Sequence, residues 1–198
     1  TNPEYIKITE ERLHQPFQSK KLKTQDVRGY YFYMDNKTLS EFIKTNIITL
    51  KDFLNISIAI TDLVSKLHKN NIFVHNITPQ NIFINKDRIK LACLYNKENL
   101  YKKNLSEDNF DDFHYISPEQ TLKVDFPIDY RTDFYLLGLI FYELLFKRKT
   151  FESDEELELI HFHIAMEISD LSLEMEIPEA LYNIVKKMLA KNPDDRYK

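Results

Sequence analysis

Two groups of side chains in this chain are of the types that catalysis and metal binding use, but their spacing argues against both roles. Asp62, Ser65 and His68 lie on one predicted helix, and nothing in their arrangement indicates a hydrolytic triad. His161 and His163 are two residues apart on another predicted helix, so they point to different faces and cannot chelate one metal ion together. We expect the two histidines to have structural roles.

A third candidate is the segment 74–81, which reads V-H-N-I-T-P-Q-N and carries the polar side chains of Asn76, Thr78 and Asn81. An amide is not a usable base near neutral pH, so Asn76 cannot accept a proton as a carboxylate would. A lone asparagine is also a weak ligand for a hard dication, which prefers carboxylate and phosphate oxygens. For Asn81 the alternative is structural, with its side chain holding the backbone of its own loop.

The composition narrows the classes of protein to consider. The net charge of −4 argues against nucleic acid as the main partner, because a basic surface is the usual signature of such binding. No apolar run reaches the roughly 18 residues that a membrane helix needs. The single cysteine, Cys93, excludes an internal disulfide and fits a reducing compartment. We therefore expect a cytoplasmic domain without membrane insertion, in which Cys93 is a buried apolar side chain.

Glycine is almost absent, since only Gly29 and Gly138 occur. A loop that binds phosphate through its backbone amides needs clustered glycines, so that the backbone can approach the ligand. The chain therefore contains neither a Walker loop nor a dinucleotide-binding fingerprint.

The elements that must position these residues are mostly helical. Apolar residues at three- and four-residue steps predict the clearest helix over 50–70, and a nearly continuous apolar run predicts a buried helix over 132–145. A short helix is predicted over 39–44. The pair Ser153 and Glu156 predicts a capping box that begins a helix to about 167, and Pro178 predicts the first turn of a helix to about 191.

Short strands are predicted at 30–34, 72–74, 82–84 and 89–91, with a turn at 85–87 and a charged loop over 96–114. That loop contains the acidic run Asp108, Asp111 and Asp112, which we interpret as solvated. The pattern has no alternating strand–helix rhythm, which argues against a doubly wound sheet.

The segment 74–81 resembles the catalytic loop of protein kinases, H-R-D-L-K-P-E-N, in register and context and in its Pro79 and Asn81. Further motifs follow in the family's order. The stretch 115–119, Y-I-S-P-E, looks like the A-P-E end of an activation segment, and 129–143 is similar to the start of the family's large buried helix. The stretch 189–197 resembles the closing L-x-x-x-P-x-x-R motif. The resemblance implies a mainly α fold of the α+β class, the kinase-like C-terminal lobe, with a few short strands.

By this resemblance, residues 1–35 are a remnant of the small lobe and hinge, and residues 36–198 are a C-terminal lobe that lacks its last helix. The family's glycine-rich loop, strand lysine and helix glutamate would precede residue 1. A finer likeness in 128–135 and 157–165 is to the kinase-like module that opens large bacterial signalling proteins, which also carry ATPase, sensor and histidine-kinase regions. This likeness implies a multidomain parent protein.

The family's chemical positions are changed in this chain. Asn76 occupies the position of the carboxylate that accepts the substrate's proton, Thr78 that of the loop lysine, and Cys93 that of the magnesium-binding aspartate. Asn81 is retained where the family binds a second magnesium ion. A gapped alignment would instead match His75 to the family's histidine, and it leaves the aspartate without any counterpart.

Positions that hold the lobe together are kept. Glu119 and Arg196 match the family's buried ion pair, and Asp133 matches the aspartate that binds the backbone of the catalytic loop. Because the structural positions are kept and the chemical ones are not, we predict a catalytically inactive pseudokinase. It would serve as a regulatory or protein-interaction module, with other proteins or other domains of its parent as partners and with no bound cofactor.

Two alternatives stay open at this point. The chain could belong to an active Ser/Thr protein kinase that uses ATP and magnesium, with its glycine-rich loop and lysine upstream. It could also be a truncated gene product without activity or partner, whose uncovered upper face would expose apolar surface.

Overall fold

The computed structural model describes residues 37–85, 88–91, 110–168 and 177–198. Several predictions concern residues outside these ranges: the strand at 30–34, the remnant at 1–35, residues 86 and 87 of the turn at 85–87, and residues 96–109 of the charged loop. Cys93 and Asp108 also lie outside them, as do the side chains of Asp111 and Asp112.

A small antiparallel sheet combines one strand that precedes the first helix with two strands that follow the second helix. Its strands are β1 (Lys37–Thr38), β2 (Ile82–Asn85) and β3 (Arg88–Leu91), in that spatial order. Phe83 pairs with Thr38 on one side and with Lys90 on the other. The strands predicted at 82–84 and 89–91 are thereby confirmed. The strand predicted at 72–74 is wrong, because these residues belong to no strand in the described part of the chain.

Two helices begin at capping boxes, in which a side chain and a backbone amide bond each other across the first turn. In α1 (Leu39–Thr45), Thr38 Oγ1 accepts the Glu41 amide and the Glu41 carboxylate accepts the Thr38 amide. Thr49 and Asp52 make the same exchange at the start of α2 (Leu50–His68). Both helices confirm the predicted ones, which were 39–44 and 50–70.

The helix α3 (Tyr130–Phe146) forms the centre of the core, and most of its residues are buried. It packs between α2 and α5 (Glu179–Met188), with Phe53 of α2 edge-on to Phe141 at 6.1 Å between ring centroids. Gly138 lets α5 approach α3 closely, since an added Cβ would lie 3.0 Å from Leu189 and Met188 side-chain atoms. The predicted buried helix is therefore confirmed, and it is the element around which the others pack.

The last two helices begin differently from the prediction. The helix α4 (Glu156–Ala165) has Glu155 at its N-cap, so the expected capping role of Ser153 is wrong. The Ser153 hydroxyl instead accepts the Glu155 amide and donates to the Glu158 carboxylate, and this turn delays the start of the helix. Pro178 is the N-cap of α5, just before its first turn, and α5 ends at Met188, short of 191. No helix in the described ranges is long and apolar enough to cross a bilayer.

A buried ion pair joins the centre of the chain to its end. Arg196 Nη1 and Nη2 donate to the two Glu119 carboxylate oxygens at 2.7 and 2.8 Å, and both side chains are fully buried. Thr132 Oγ1 donates to the same carboxylate at 2.7 Å, which ties it to the first turn of α3. Arg196 also donates to the carbonyls of Arg131 and Ala190 at 3.0 and 2.8 Å. Most donors of the guanidinium are thus used inside the protein.

We predict that Arg196→Met lowers the free energy of unfolding by about 3–5 kcal/mol, because it leaves the Glu119 carboxylate buried without its partner. The double variant Glu119→Leu/Arg196→Met should recover part of this loss, since it removes both charges. Urea denaturation measures both changes, and Lys66→Met at the exposed pair with Asp62 is the control, expected to cost at most about 1 kcal/mol. Strictly additive single losses would contradict the prediction.

A second prediction concerns Lys191, whose Nζ donates to the Phe162 carbonyl at 3.0 Å and lies 4.5 Å from the Phe151 ring centroid. Burial lowers the pKa of this amine from 10.5 to about 8. Between these two pKa values the unfolded chain binds more protons than the folded chain. The contribution of Lys191 to the free energy of unfolding therefore rises with pH across this window.

Between pH 7.5 and 9.5 the wild type should therefore gain stability relative to Lys191→Met, by on the order of 1–2 kcal/mol. Urea denaturation across this pH range measures the difference. Lys187→Met removes an exposed lysine of α5, and its free energy of unfolding should change with pH as that of the wild type does. If the free energy of unfolding of Lys191→Met also follows the pH dependence of the wild type, burial of the Lys191 charge does not limit stability.

Candidate functional site

The residues of the candidate site lie in the loop 72–81, which α3 holds through a single carboxylate. Asp133 is fully buried and accepts the amides of Val74 and His75 at 2.9 and 2.6 Å. Its Oδ2 also accepts Nε2 of His68, at the end of α2, at 2.7 Å. These three donors satisfy a charge that would otherwise be costly to bury. Asp133 thus makes the contact with the loop backbone that the resemblance implied.

His75 adopts an unusual backbone conformation within this loop. Its φ of 54° lies in the left-handed region, which residues other than glycine seldom enter. Besides the bond to Asp133, its carbonyl accepts Gln120 Nε2 at 2.6 Å and its ring Nε2 donates to the Asp129 carbonyl at 3.0 Å. The ring stacks on Phe73 at 6.1 Å between centroids. The loop therefore turns at His75 because its neighbours hold both sides of this residue.

Asn81 closes the loop on itself. Its Oδ1 accepts the Thr78 amide at 3.0 Å, and its Nδ2 donates to the Asn76 carbonyl at 2.7 Å. Both ends of the side-chain amide are therefore used by backbone groups. This geometry fits the structural interpretation of Asn81 that the sequence left open, because both polar ends of the side chain hold backbone groups of its own loop.

The structure brings the loop residues named from sequence into one turn. Asn76 is half-buried, and Thr78 is buried. Cys93, the third altered position, lies outside the described residues. The described ranges contain no group of three or more histidine, cysteine, aspartate or glutamate side chains that could hold a metal ion. The described loop is a hydrogen-bonded polar turn with an amide, Asn76, at the position where the resemblance places the catalytic carboxylate.

Asp129 contacts both the loop 72–81 and the first turn of α3. Its side chain caps the helix by accepting the Arg131 amide at 2.9 Å, and it also accepts Nε and Nη2 of Arg131. Burial of Asp129 opposes ionisation, but these bonds and the guanidinium charge outweigh it, so the pKa of this carboxyl is lowered. Asp129 therefore stays charged as the cap while its carbonyl accepts the ring of His75.

Sequence reasoning missed two residues of this site, His68 and Gln120. The sequence shows His68 only beside its helix neighbours, whereas its partner Asp133 lies 65 residues away. Gln120 directly follows the recognised 115–119 motif, which was the available signal. His161 and His163 point to different faces, as predicted, since His161 is exposed and His163 is buried with Nε2 3.0 Å from the Phe113 carbonyl. The structural role is thereby confirmed for His163, and for His161 it stays a prediction.

The comparison with protein families agrees with this geometry. Residues 23–198 match the family described as "Protein kinase domain". The chain belongs to the protein kinase family. Its described part is the mainly α, kinase-like C-terminal lobe with one three-stranded sheet, as the sequence predicted.

Individual relatives include both Ser/Thr kinases and histidine kinases. The chain is 30% identical over 173 residues to serine/threonine-protein kinase PrkC of Bacillus subtilis. These residues are 83% of this chain and 26% of that protein. It is 44% identical over 94 residues to hybrid signal transduction histidine kinase G of Dictyostelium discoideum, covering 47% of this chain and 3% of that protein. Peroxide stress-activated histidine kinase mak3 of Schizosaccharomyces pombe is 33% identical over 84 residues, 42% of this chain and 4% of that protein.

The chain thus spans about a quarter of the Bacillus kinase and a few per cent of the two histidine kinases. Similarity to large signalling proteins accords with the predicted kinase-like module of a multidomain parent. The two histidine kinases come from Dictyostelium and Schizosaccharomyces, so these two matches do not support the bacterial part of that prediction.

We predict that Asn81→Ala lowers the free energy of unfolding by about 1–3 kcal/mol, because the Thr78 amide and the Asn76 carbonyl lose their partner. Asn81→Asp should recover part of the loss, since a carboxylate still accepts from Thr78 but cannot donate to Asn76. Denaturation with and without magnesium measures both effects. If Asn81 were a magnesium ligand, the ion would stabilise the wild type and Asn81→Ala would abolish that gain.

Proposed function

We propose that this chain is a pseudokinase module, a kinase fold that does not transfer phosphate and acts through protein contacts in signalling. The observation that carries the proposal is the contrast at the loop 72–81. The supports of the loop, Asp133 and Asn81, have their oxygens bonded to its backbone, while the catalytic carboxylate position holds Asn76. A neutral amide cannot accept the substrate's hydroxyl proton near neutral pH.

The charge balance of phosphoryl transfer supports the same proposal. The reaction depends on positioning and on neutralising the charge of the phosphates. Thr78 replaces a cation that would face the transferred phosphate, and Cys93 replaces a carboxylate by a soft thiol that binds magnesium poorly. We therefore propose that neither ATP nor magnesium is a required cofactor. A single loss could be rescued by the substrate, but the combination of Asn76, Thr78 and Cys93 is hard to rescue.

The alternative is an active ATP-dependent Ser/Thr protein kinase, and the similarity to the Bacillus Ser/Thr kinase favours keeping it. In that case magnesium and ATP would be the cofactors, and the residues that hold the phosphates would come from outside the described ranges. For the pseudokinase we propose other proteins, or other domains of a parent signalling protein, as partners. We propose a cytoplasmic location, because the single cysteine fits a reducing compartment.

Thermal unfolding with ATP, with and without magnesium, tests the proposal. A ligand at about 100 times its dissociation constant adds roughly 2.7 kcal/mol, which raises the melting temperature by on the order of 5–10 °C in a domain of this size. We expect no shift for the wild type, and no transfer of labelled phosphate to a general protein substrate.

The matched comparison carries Asn76→Asp, Thr78→Lys and Cys93→Asp, which restore the family's residues. A magnesium-dependent shift in this variant alone would assign the loss to the three positions. An equal shift in the wild type, or phosphate transfer by it, would favour the active kinase.

A further inference from the structure

The side chain of Gln120 joins two parts of the chain that are far apart in sequence. Its Nε2 donates to the His75 carbonyl in the loop 72–81 at 2.6 Å, and its Oε1 accepts the Ser117 amide at 3.0 Å. The Gln120 amide also donates to the Ser117 carbonyl at 3.0 Å. One end of the side-chain amide thus belongs to the loop and the other to the segment 110–121, so a displacement of either strains both bonds.

The segment 110–121 takes its own position from elements away from the loop. His163 of α4 donates to the Phe113 carbonyl at 3.0 Å, and the Tyr115 hydroxyl donates to Glu143 of α3. At its other end Glu119 forms the buried ion pair with the end of the chain. The position of Gln120 is therefore set by α3, α4 and the C-terminal residues rather than by the loop.

In the loop, Gln120 bonds to His75, the residue with the left-handed backbone conformation. A left-handed conformation is unfavourable for a residue other than glycine, so His75 keeps it because its partners hold it. Asp133 fixes the amide side of His75, and Gln120 fixes the carbonyl, which belongs to the peptide that leads to Asn76. Without Gln120 the carbonyl side of His75 loses its partner, so the Asp133 bond alone must hold the left-handed conformation and opens more often.

We propose that Gln120 is a positioning residue that makes the conformation of the loop at His75 and Asn76 depend on the position of the segment 110–121. The inference deepens the proposed function and rests on it for its biological meaning. A pseudokinase that needs no nucleotide can still have a regulated loop, if a protein partner displaces the segment and the displacement reaches the loop through Gln120.

Amide hydrogen exchange of the full chain, without nucleotide, tests the proposal. Gln120→Glu keeps an acceptor for the Ser117 amide but loses the donor to His75. We expect the His75 and Thr78 amides to exchange about fivefold faster, the factor that corresponds to one net hydrogen bond of about 1 kcal/mol. The Ser117 amide should exchange at the wild-type rate. Gln120→Met removes both bonds and should accelerate the Ser117 amide as well.

Two further variants separate positioning from general loosening. Gln80→Glu changes an exposed glutamine of the same loop and should leave all of these rates within twofold of the wild type. In a His75→Gly background the left-handed turn is free of strain, because glycine enters this region at little cost. Adding Gln120→Glu there should change the Thr78 rate by less than twofold, and full acceleration in both backgrounds would overturn the proposal.

Wild-type rates at His75 and Thr78 in Gln120→Glu and Gln120→Met would also overturn it. So would an equal acceleration of every slow amide, including those of Ile60 and Val64 in the core of α2, since that pattern reports only a loss of global stability. Exchange is read without nucleotide, so phosphate transfer by the wild type would refute the proposed function and leave the positioning role of Gln120 standing.

Discussion

The fold depends first on the buried ion pair between Glu119 and Arg196. Two fully buried charges are tolerable only when each is hydrogen-bonded on nearly every side, and here Thr132 and the carbonyls of Arg131 and Ala190 complete the set. The pair fixes the end of the chain against the first turn of α3 and against the segment that carries Gln120. Two groups that hold the loop 72–81, Asp133 and Gln120, are each adjacent in sequence to a residue of this cluster, whose two charges lie 77 positions apart.

The loop 72–81 is held by hydrogen bonds from protein groups. Asp133 binds its backbone from α3, Asn81 binds it from within, and Gln120 binds it from the segment 110–121. In an active kinase a loop of this kind would present a carboxylate, but here the supported position carries Asn76. The proposed pseudokinase would keep such a support because a defined loop shape also serves recognition by a protein partner.

The local elements could be predicted because their signals are local. The capping boxes at Thr38 and Thr49 use residues three apart, and the apolar pattern of α2 repeats every turn. The same reasoning failed at Ser153, where a correctly spaced glutamate three residues on is not the residue that its hydroxyl bonds. It also failed at 72–74, because an apolar run becomes a strand only if a partner strand is available to it.

The sequence by itself determined the family and the kinase-like C-terminal lobe, because motif order and residue identity are written along the chain. It also gives an amide, Asn76, at the position where the resemblance places the catalytic carboxylate. Tertiary structure decided which groups serve the loop. Asp133 receives His68 across 65 positions and Gln120 reaches His75 across 45, and no periodic pattern encodes such pairs. It also decided the role of Asn81, whose type allows metal binding and backbone support alike. Only the fold brings both ends of its amide to the backbone of its own loop, and this contact favours support.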